Sequence, residues 1–92
     1  MYTIKYTTRM RKDIQRVKRR GKNISKLFAV LELLKTGEPL PEKYRDHQLK
    51  GDLDDLRECH IENNWLLVYR IVEDELVLLA TATGTHADIF GE

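Results

Sequence analysis

The chain is poor in cysteine and proline, and it has no apolar run long enough to cross a lipid bilayer. Its 92 residues include one Cys, two Pro and five Gly. A single cysteine excludes an intrachain disulfide and any zinc site built from several thiolates, and it is typical of a reducing compartment. The longest uncharged apolar runs, 65–69 and 76–80, are far shorter than the roughly 20 residues of a membrane helix. The first residues also lack the apolar segment of a signal peptide, so we expect a soluble cytoplasmic protein.

What remains is a charged but globular composition. Hydrophobic residues make up 41% of the chain and charged residues 34%, proportions typical of a folded protein rather than a disordered one. A chain of 92 residues is long enough to bury one compact core and too short for a second. The sequence therefore predicts that residues 1–92 form a single domain.

The charges are distributed unevenly along the chain. The net charge is only +1, but residues 1–35 hold 11 basic and two acidic residues (+9), and residues 36–92 hold five basic and 13 acidic residues (−8). This separation favours a basic surface that binds a polyanion, although a solvated helix face without a partner has the same pattern. We predict that Arg16, Arg19 and Arg20 contact phosphates and that reversing their charge leaves the fold intact.

The hydrophobic periodicity predicts one strand followed by two helices. Residues 2–6 alternate large and polar side chains, as a strand does. A first helix is expected to begin at Thr7 or Thr8 and to end at Gly21, and a second to begin at Asn23 or Ser25 and to end before residue 37. The short link between them favours a helical hairpin.

The second half of the chain predicts a loop and three strands. Residues 37–55 are expected to form an ordered loop with a helical turn near 42–45. Strands are predicted over 56–61, 65–72 and 76–83, joined by two three-residue hairpin turns, and residues 84–92 are expected to be a short tail. The order is β-α-α-β-β-β, an α+β domain with two N-terminal helices packed on an antiparallel sheet.

The candidate chemistry is an acid–base cluster around histidines. His47 lies in the loop, His60 on the first C-terminal strand and His86 in the tail. A tight hairpin at 62–64 places residue 60 opposite 66 and residue 58 opposite 68, so Glu58, His60 and Arg70 share one face of the sheet. Such groups are what phosphodiester cleavage needs: a base, an acid and a fixed cation, with no metal.

Structural explanations of the same residues stay open at this point. Glu58 and Arg70 can form a cross-strand ion pair, and Phe90 can plug the core or stack on an RNA base. The histidines lack the close spacing of zinc ligands, so we expect no metal and no cofactor. Cys59 and Trp65 are expected to be core residues.

Three motifs give the chain a family resemblance. Residues 44–51 (YRDHQLKG) are similar to a D-H-x-L-x-G loop, and residues 56–61 followed by 65–69 (LRECHI, WLLVY) are similar to an R-[DE]-x-H-[IV]…W-[IL]-L-[IV]-Y hairpin. Residues 83–91 (TGTHADIFG) are similar to a T-G-[ST]-H-x-x-[LI]-F-G tail. In this order and spacing the motifs resemble the YafQ branch of the RelE/ParE toxin superfamily.

The resemblance implies the toxin of a type II toxin–antitoxin system, a ribosome-dependent endoribonuclease that cuts mRNA in the ribosomal A site and leaves a 2′,3′-cyclic phosphate. It implies a DinJ/RelB-like antitoxin of the ribbon-helix-helix type, through which alone the complex binds operator DNA. A toxin of this fold that acts on gyrase, as in the ParE branch, and a non-catalytic homologue are the alternatives.

The resemblance also assigns roles to individual residues. His47, His60 and His86 match catalytic histidines, with His86 the favoured general acid, and Glu58 stands where related toxins have a catalytic aspartate. Asn64 replaces a second functional aspartate. Contacts to RNA or phosphate are expected from Arg70, Lys50, Phe90, Arg16, Arg19 and Arg20.

Overall fold

The computed structural model describes residues 1–91, which form eight helices and strands. In chain order they are β1 (Thr3–Tyr6), α1 (Thr8–Arg19), α2 (Ile24–Lys35), β2 (His47–Gln48), β3 (Arg57–Glu62), β4 (Trp65–Val72), β5 (Val77–Gly84) and α3 (His86–Phe90). Short 3-10 turns occupy Glu42–Tyr44, Gly51–Leu53 and Glu73–Glu75. The predicted order β-α-α-β-β-β is confirmed; the two-residue β2 and the short α3 are additions that the periodicity did not show.

The two long helices begin and end where their capping residues place them. The Thr7 side chain accepts a hydrogen bond from the Met10 amide, and the Asn23 side chain accepts one from Ser25. These bonds satisfy amides that the first turn of a helix leaves unpaired. Gly21 follows α1 with φ +82°, a backbone conformation that favours glycine and ends the helix. The apolar side chains of α1, Met10, Ile14 and Val17, are buried in the core.

The sheet has the strand order β1-β5-β4-β3-β2 and is mixed. Strands β2 to β5 pair antiparallel, as expected, but β1 pairs parallel with β5, with Thr3 opposite Val77 and Tyr6 opposite Ala80. Here the prediction of a wholly antiparallel sheet is wrong. Alternation with period two is the same in both kinds of pairing, and no hairpin joins β1 to β5 to fix their relative direction.

The two faces of the sheet have different tasks. One face carries Trp65, Leu67 and Tyr69, which pack with apolar side chains of α1 and α2 in the main core. Cys59 belongs to this core, as predicted, and burial raises the pKa of its thiol to about 12, which keeps it protonated and unreactive at neutral pH. Residues of β3 that alternate with Cys59 lie on the other face, where Glu58 is located.

No helix within residues 1–91 is long and apolar enough to traverse a membrane.

Candidate functional site

The candidate active site is a buried carboxylate approached by three imidazoles. Only 6% of the Glu58 side chain is exposed. The Nε2 atoms of three histidines lie near its two oxygens: His47 at 3.6 Å, His60 at 3.8 Å and His86 at 3.7 Å. We call these four residues, Glu58, His47, His60 and His86, the histidine cluster. An ionised carboxylate at this distance stabilises positive charge on each imidazole.

Glu58 and His60 share a face because they are two residues apart on β3, where side chains alternate between faces. The structure also pairs His60 with Leu66 and Glu58 with Val68, the register expected from the short turn at 62–64. His47 reaches the same place from the other side of β3, because β2 pairs His47 directly with Glu58. The cluster therefore rests on two adjacent strands, β2 and β3, and on the helix α3 that follows the sheet.

The exposed fractions divide the cluster into accessible and buried members. About half of the His47 and His86 side chains is exposed, 51% and 49%, against 13% for His60. A substrate can therefore touch His47 and His86, while Glu58 and His60 lie beneath them. The Phe90 ring lies 6.0 Å from that of His86, on the accessible side of the cluster rather than in the main core.

The tautomer of neutral His47 follows from its hydrogen bond. Its Nδ1 lies 2.8 Å from the Arg45 backbone carbonyl. A carbonyl oxygen only accepts, so Nδ1 carries the proton and donates it. The Nε2 atom of the neutral ring then has a free lone pair, which is the form that a general base requires.

Arg45 is a cluster neighbour that the sequence analysis missed. Its Nη2 lies 3.3 Å from His60 Nδ1 and donates to the Asn63 side chain at 3.1 Å. Arg45 has φ +47°, and this left-handed conformation changes the direction of the backbone directly after the turn at Glu42–Tyr44. Arg70, the cation expected here, is at the same face but lies 3.8 Å from Asp55, and it forms no ion pair with Glu58. In the sequence, Arg45 directly precedes Asp46 and His47 of the D-H-x-L-x-G motif, and this position could have indicated it.

The segment predicted to be a tail is instead the helix α3. The Thr85 side chain accepts from the Asp88 amide and the Asp88 carboxylate accepts from the Thr85 amide, a reciprocal capping box. Five residues are too few for periodicity to reveal a helix. Gly84 permits this close approach, because a Cβ there would meet Asp88 Oδ2 at 2.7 Å.

Contacts with α1 and with the hairpin turn fix the orientation of α3. The Arg20 guanidinium donates to both Asp88 oxygens, and Arg16 lies 3.7 Å from the same carboxylate. The Asn64 side chain accepts from the His86 amide at 3.4 Å. Asn64 therefore supports the first residue of α3 as a neutral acceptor at the position where the resemblance suggests an aspartate.

We expect the Asp88 contacts to make stability depend on pH. The hydrogen bond from Arg20, followed by the bonds from Thr85, holds the pKa of Asp88 well below its usual range. This contribution to stability is present above about pH 4 and is lost as the pH falls toward the depressed pKa. Asp88→Asn should cost about 1 kcal/mol at pH 7, measured by urea unfolding. The difference from wild type should shrink at pH 2–3; a difference that is constant with pH contradicts the assignment.

Two of the three predicted phosphate-binding arginines at the end of α1 already form ion pairs within the protein. Arg16 lies 3.3 Å from the buried Asp13, and Arg20 pairs with Asp88. These ion pairs argue against the prediction that reversing the charge of Arg16 and Arg20 leaves the fold intact. The two arginines are structural partners because α1 must neutralise two carboxylates at its contact with β5 and α3. Arg19 is exposed, as is Lys50 in the loop before β3.

Within residues 1–91, no group of three or more His, Cys, Asp or Glu side chains has an arrangement that could hold a metal ion. The histidine cluster is instead arranged around a carboxylate at ion-pair distance.

Comparison with known proteins identifies relatives over almost the whole chain. Residues 2–91 match the family described as "Bacterial toxin of type II toxin-antitoxin system, YafQ". The chain is 36% identical over 89 residues to "mRNA interferase toxin YafQ" of Escherichia coli K12, and the match covers 96% of this chain and 95% of that protein.

Solved structures agree with this match. A metal-bound toxin from Helicobacter pylori is similar with a TM-score of 0.92 and 39% identity, over 98% of this chain and 100% of that one. A chain in the E. coli DinJ–YafQ complex is similar with a TM-score of 0.88 and 33% identity, over 99% of this chain and 100% of that one. These matches give no support to the alternative of a ParE-like toxin acting on gyrase.

Proposed function

The chain belongs to the YafQ family of mRNA interferase toxins from type II toxin–antitoxin systems, and we propose that it cleaves RNA at the histidine cluster by metal-free acid–base catalysis. The observation that carries the proposal is the convergence of three Nε2 atoms on Glu58 within 3.8 Å. The proposal places the whole 92-residue chain in one toxin domain and in the cytoplasm, where its substrate is translated.

In the proposed reaction His47 is the general base. Its Nδ1 proton is held by the Arg45 carbonyl, so Nε2 accepts the proton of the RNA 2′-hydroxyl. The 2′-oxygen then attacks the adjacent phosphorus. The imidazolium that forms lies 3.6 Å from Glu58, and the carboxylate stabilises this charge.

His86 is the proposed general acid. As the bond between phosphorus and the 5′-oxygen breaks, His86 donates a proton to that oxygen, since an alkoxide is a poor leaving group unless it is protonated. The products are a 2′,3′-cyclic phosphate and a 5′-hydroxyl. Phe90 offers an aromatic surface beside His86 on which a base can stack.

The third histidine has a supporting role in the proposal. His60 is the least exposed of the three imidazoles and lies between Glu58 and Arg45. It separates the carboxylate from the guanidinium, so that Arg45 does not pair with Glu58 and is available to a substrate phosphate.

Arg45 is the guanidinium that we assign to the scissile phosphate, with Arg70 and Lys50 contacting phosphates farther along the strand. A fixed cation beside the cluster stabilises the charge that develops on the phosphorane. Arg45→Ala should lower the single-turnover cleavage rate by about 10²-fold. The matched variant Arg70→Ala should lower it less than about tenfold. The reverse order of the two losses would transfer the role to Arg70.

The proposed substrate is mRNA in the ribosomal A site, with basic residues of α1 contacting ribosomal RNA. We expect Arg19→Glu to weaken ribosome binding and to flatten its salt dependence, because fewer counterions are released from phosphates. Lys5→Glu, an equal charge change on β1 before α1 begins, is the matched control. Ribosome affinity is measured for both variants over a salt titration. If it falls equally in Arg19→Glu and Lys5→Glu, Arg19 has no specific contact.

We further propose that the protein binds a cognate antitoxin that is DinJ/RelB-like and of the ribbon-helix-helix type. In this complex only the antitoxin contacts operator DNA. The support from this structure is a groove of about 290 Å³ between α2 and the turn at Glu42–Tyr44. Its walls are apolar and its rim carries Lys26 and Lys43. An amphipathic acidic segment that folds on contact fits such a groove.

The test of the proposed reaction is the chemistry of its products. On programmed ribosomes, the wild-type protein should give a product that ends in a 2′,3′-cyclic phosphate. An mRNA with a single 2′-deoxynucleotide at the cleavage position should resist cutting there. Cleavage of the 2′-deoxy substrate at that position would overturn the mechanism. No cleavage of any RNA would favour a non-catalytic homologue.

A further inference from the structure

Three residues of the sequence motifs have no part in the reaction above, yet the fold brings them together. Asp46 precedes His47 in the loop motif, while Arg57 and Tyr69 belong to the hairpin motif. Arg57 Nη2 donates to Asp46 Oδ2 at 2.9 Å, and the Tyr69 hydroxyl donates to Asp46 Oδ1 at 2.6 Å. This contact lies on the core face of the sheet, opposite the histidine cluster, and lines a cavity of about 290 Å³.

The same guanidinium also binds the residue that follows His47. Arg57 Nη1 donates to the Gln48 side chain at 3.2 Å, and β2 pairs Gln48 with Arg57 in the sheet. Side chains along a strand alternate between faces. Holding residues 46 and 48 on the core face therefore sends the side chain of His47 to the opposite face, toward Glu58.

The strand β2 needs such support because it is short. It has two residues, and half of the His47 side chain is exposed, so neither a long hydrogen-bonded ladder nor packing fixes its position. A two-residue strand is marginal on its own. A planar guanidinium with two donor edges holds two acceptors at fixed spacing, which an ammonium group does not do.

We propose that Arg57, bound to Asp46 and Gln48 and backed by Tyr69, is the positioning residue that sets the orientation and tautomer of His47 through the sheet. Arg57 does not touch the substrate; it acts through His47. The inference rests on the proposed role of His47 as general base. The electrostatics of the three side chains agree with this role. The hydrogen bond to Asp46 raises the pKa of Arg57, and burial raises the pKa of Tyr69.

The first readout is the His47 ring itself, observed in the full chain by ¹⁵N NMR of labelled histidine. In the wild-type protein the neutral ring should carry its proton on Nδ1. Arg57→Lys keeps the positive charge but removes the planar guanidinium that donates to both Asp46 and Gln48. It should shift His47 toward the Nε2-protonated form that free imidazole side chains favour. Tyr69→Phe should produce a smaller shift in the same direction. Tyr2→Phe removes a comparable hydroxyl, bonded to Glu73 at 2.7 Å, and should leave the His47 signals unchanged.

The second readout is the single-turnover cleavage rate. Arg57→Lys should lower it by about 10²-fold, the cost of a misplaced catalytic group, and Tyr2→Phe should stay within about twofold. In a His47→Ala background, Arg57→Lys should cause no further loss, because both changes remove the same function. Melting curves give the fraction of each variant that is folded, so that a loss of rate is distinguished from a loss of folding. If Arg57→Lys does not fold, Tyr69→Phe is used in its place.

The outcomes distinguish this inference from the proposed function. An unchanged His47 tautomer in both Arg57→Lys and Tyr69→Phe, or losses that add in the double variant, would overturn the positioning role. If His47→Ala alone leaves the rate unchanged, the role of His47 as base fails. The tautomer measurement then still decides whether Arg57 orients the ring.

Discussion

His86→Ala should lower the single-turnover cleavage rate on programmed ribosomes by about 10²–10⁴-fold, the usual cost of losing a positioned general acid. The fold should be retained, because α3 is held by Asp88 and by its cap at Thr85 rather than by the imidazole. The side chain is about half exposed, so its removal leaves no cavity. Toxicity in growing cells should disappear with the rate.

His86→Gln should be as inactive as His86→Ala, which separates proton donation from hydrogen bonding. Glutamine keeps a donor of similar reach but does not release its proton at neutral pH. Melting temperatures of both variants should lie close to that of the wild-type protein. If the folded variants cleave RNA at nearly the wild-type rate, His86 is not the acid, and its place at the start of α3 is only structural.

Glu58→Gln should cause the second large loss, about 10²-fold or more in the same assay. The substitution preserves size but removes the negative charge shared by three imidazoles. The imidazolium that forms on His47 would then lack its counter-charge in a site where only 6% of the Glu58 side chain meets water.

Glu58→Asp is the matched control for charge. It retains the carboxylate and shortens the side chain by one methylene, so the rate should stay within about tenfold of wild type. If Glu58→Gln and Glu58→Asp lose activity equally, the size of residue 58 matters rather than its charge, and the electrostatic role is wrong.

Local signals in the sequence predicted the elements of the fold well. Thr7 and Asn23 cap the helices as expected, alternation along β3 places Glu58 and His60 on one face, and the short turn at 62–64 gives the expected register of β3 with β4. Each of these features depends on residues close in sequence, where capping, turn chemistry and alternation act directly. The family resemblance assigned a proposed catalytic role to the histidines, which periodicity alone does not do.

Features that depend on distant contacts were not predictable in this way. The parallel direction of β1 and the pairing of Asp88 with Arg20 at the end of α1 arise only when the two ends of the chain meet. Arg45 was missed for a similar reason, since its position beside His60 depends on a positive φ in the loop. Charge reversal of Arg20 looked harmless because the sequence does not show that Asp88 is its partner.

The pairing of β1 with β5 has a consequence for how the histidine cluster forms. Thr3 lies opposite Val77, and Thr7 and Asp13 bind the backbone of β5 at Ala80, Thr81 and Thr83. Contacts of such sequence separation slow folding, because the entropy of closing a long loop is lost before they form. Helix α3, with His86, directly follows β5, so we expect the step that completes the sheet also to bring the proposed acid to the cluster. Amide exchange should accordingly report a single opening unit for β1 and β5, and a chain caught before that step has no assembled catalyst.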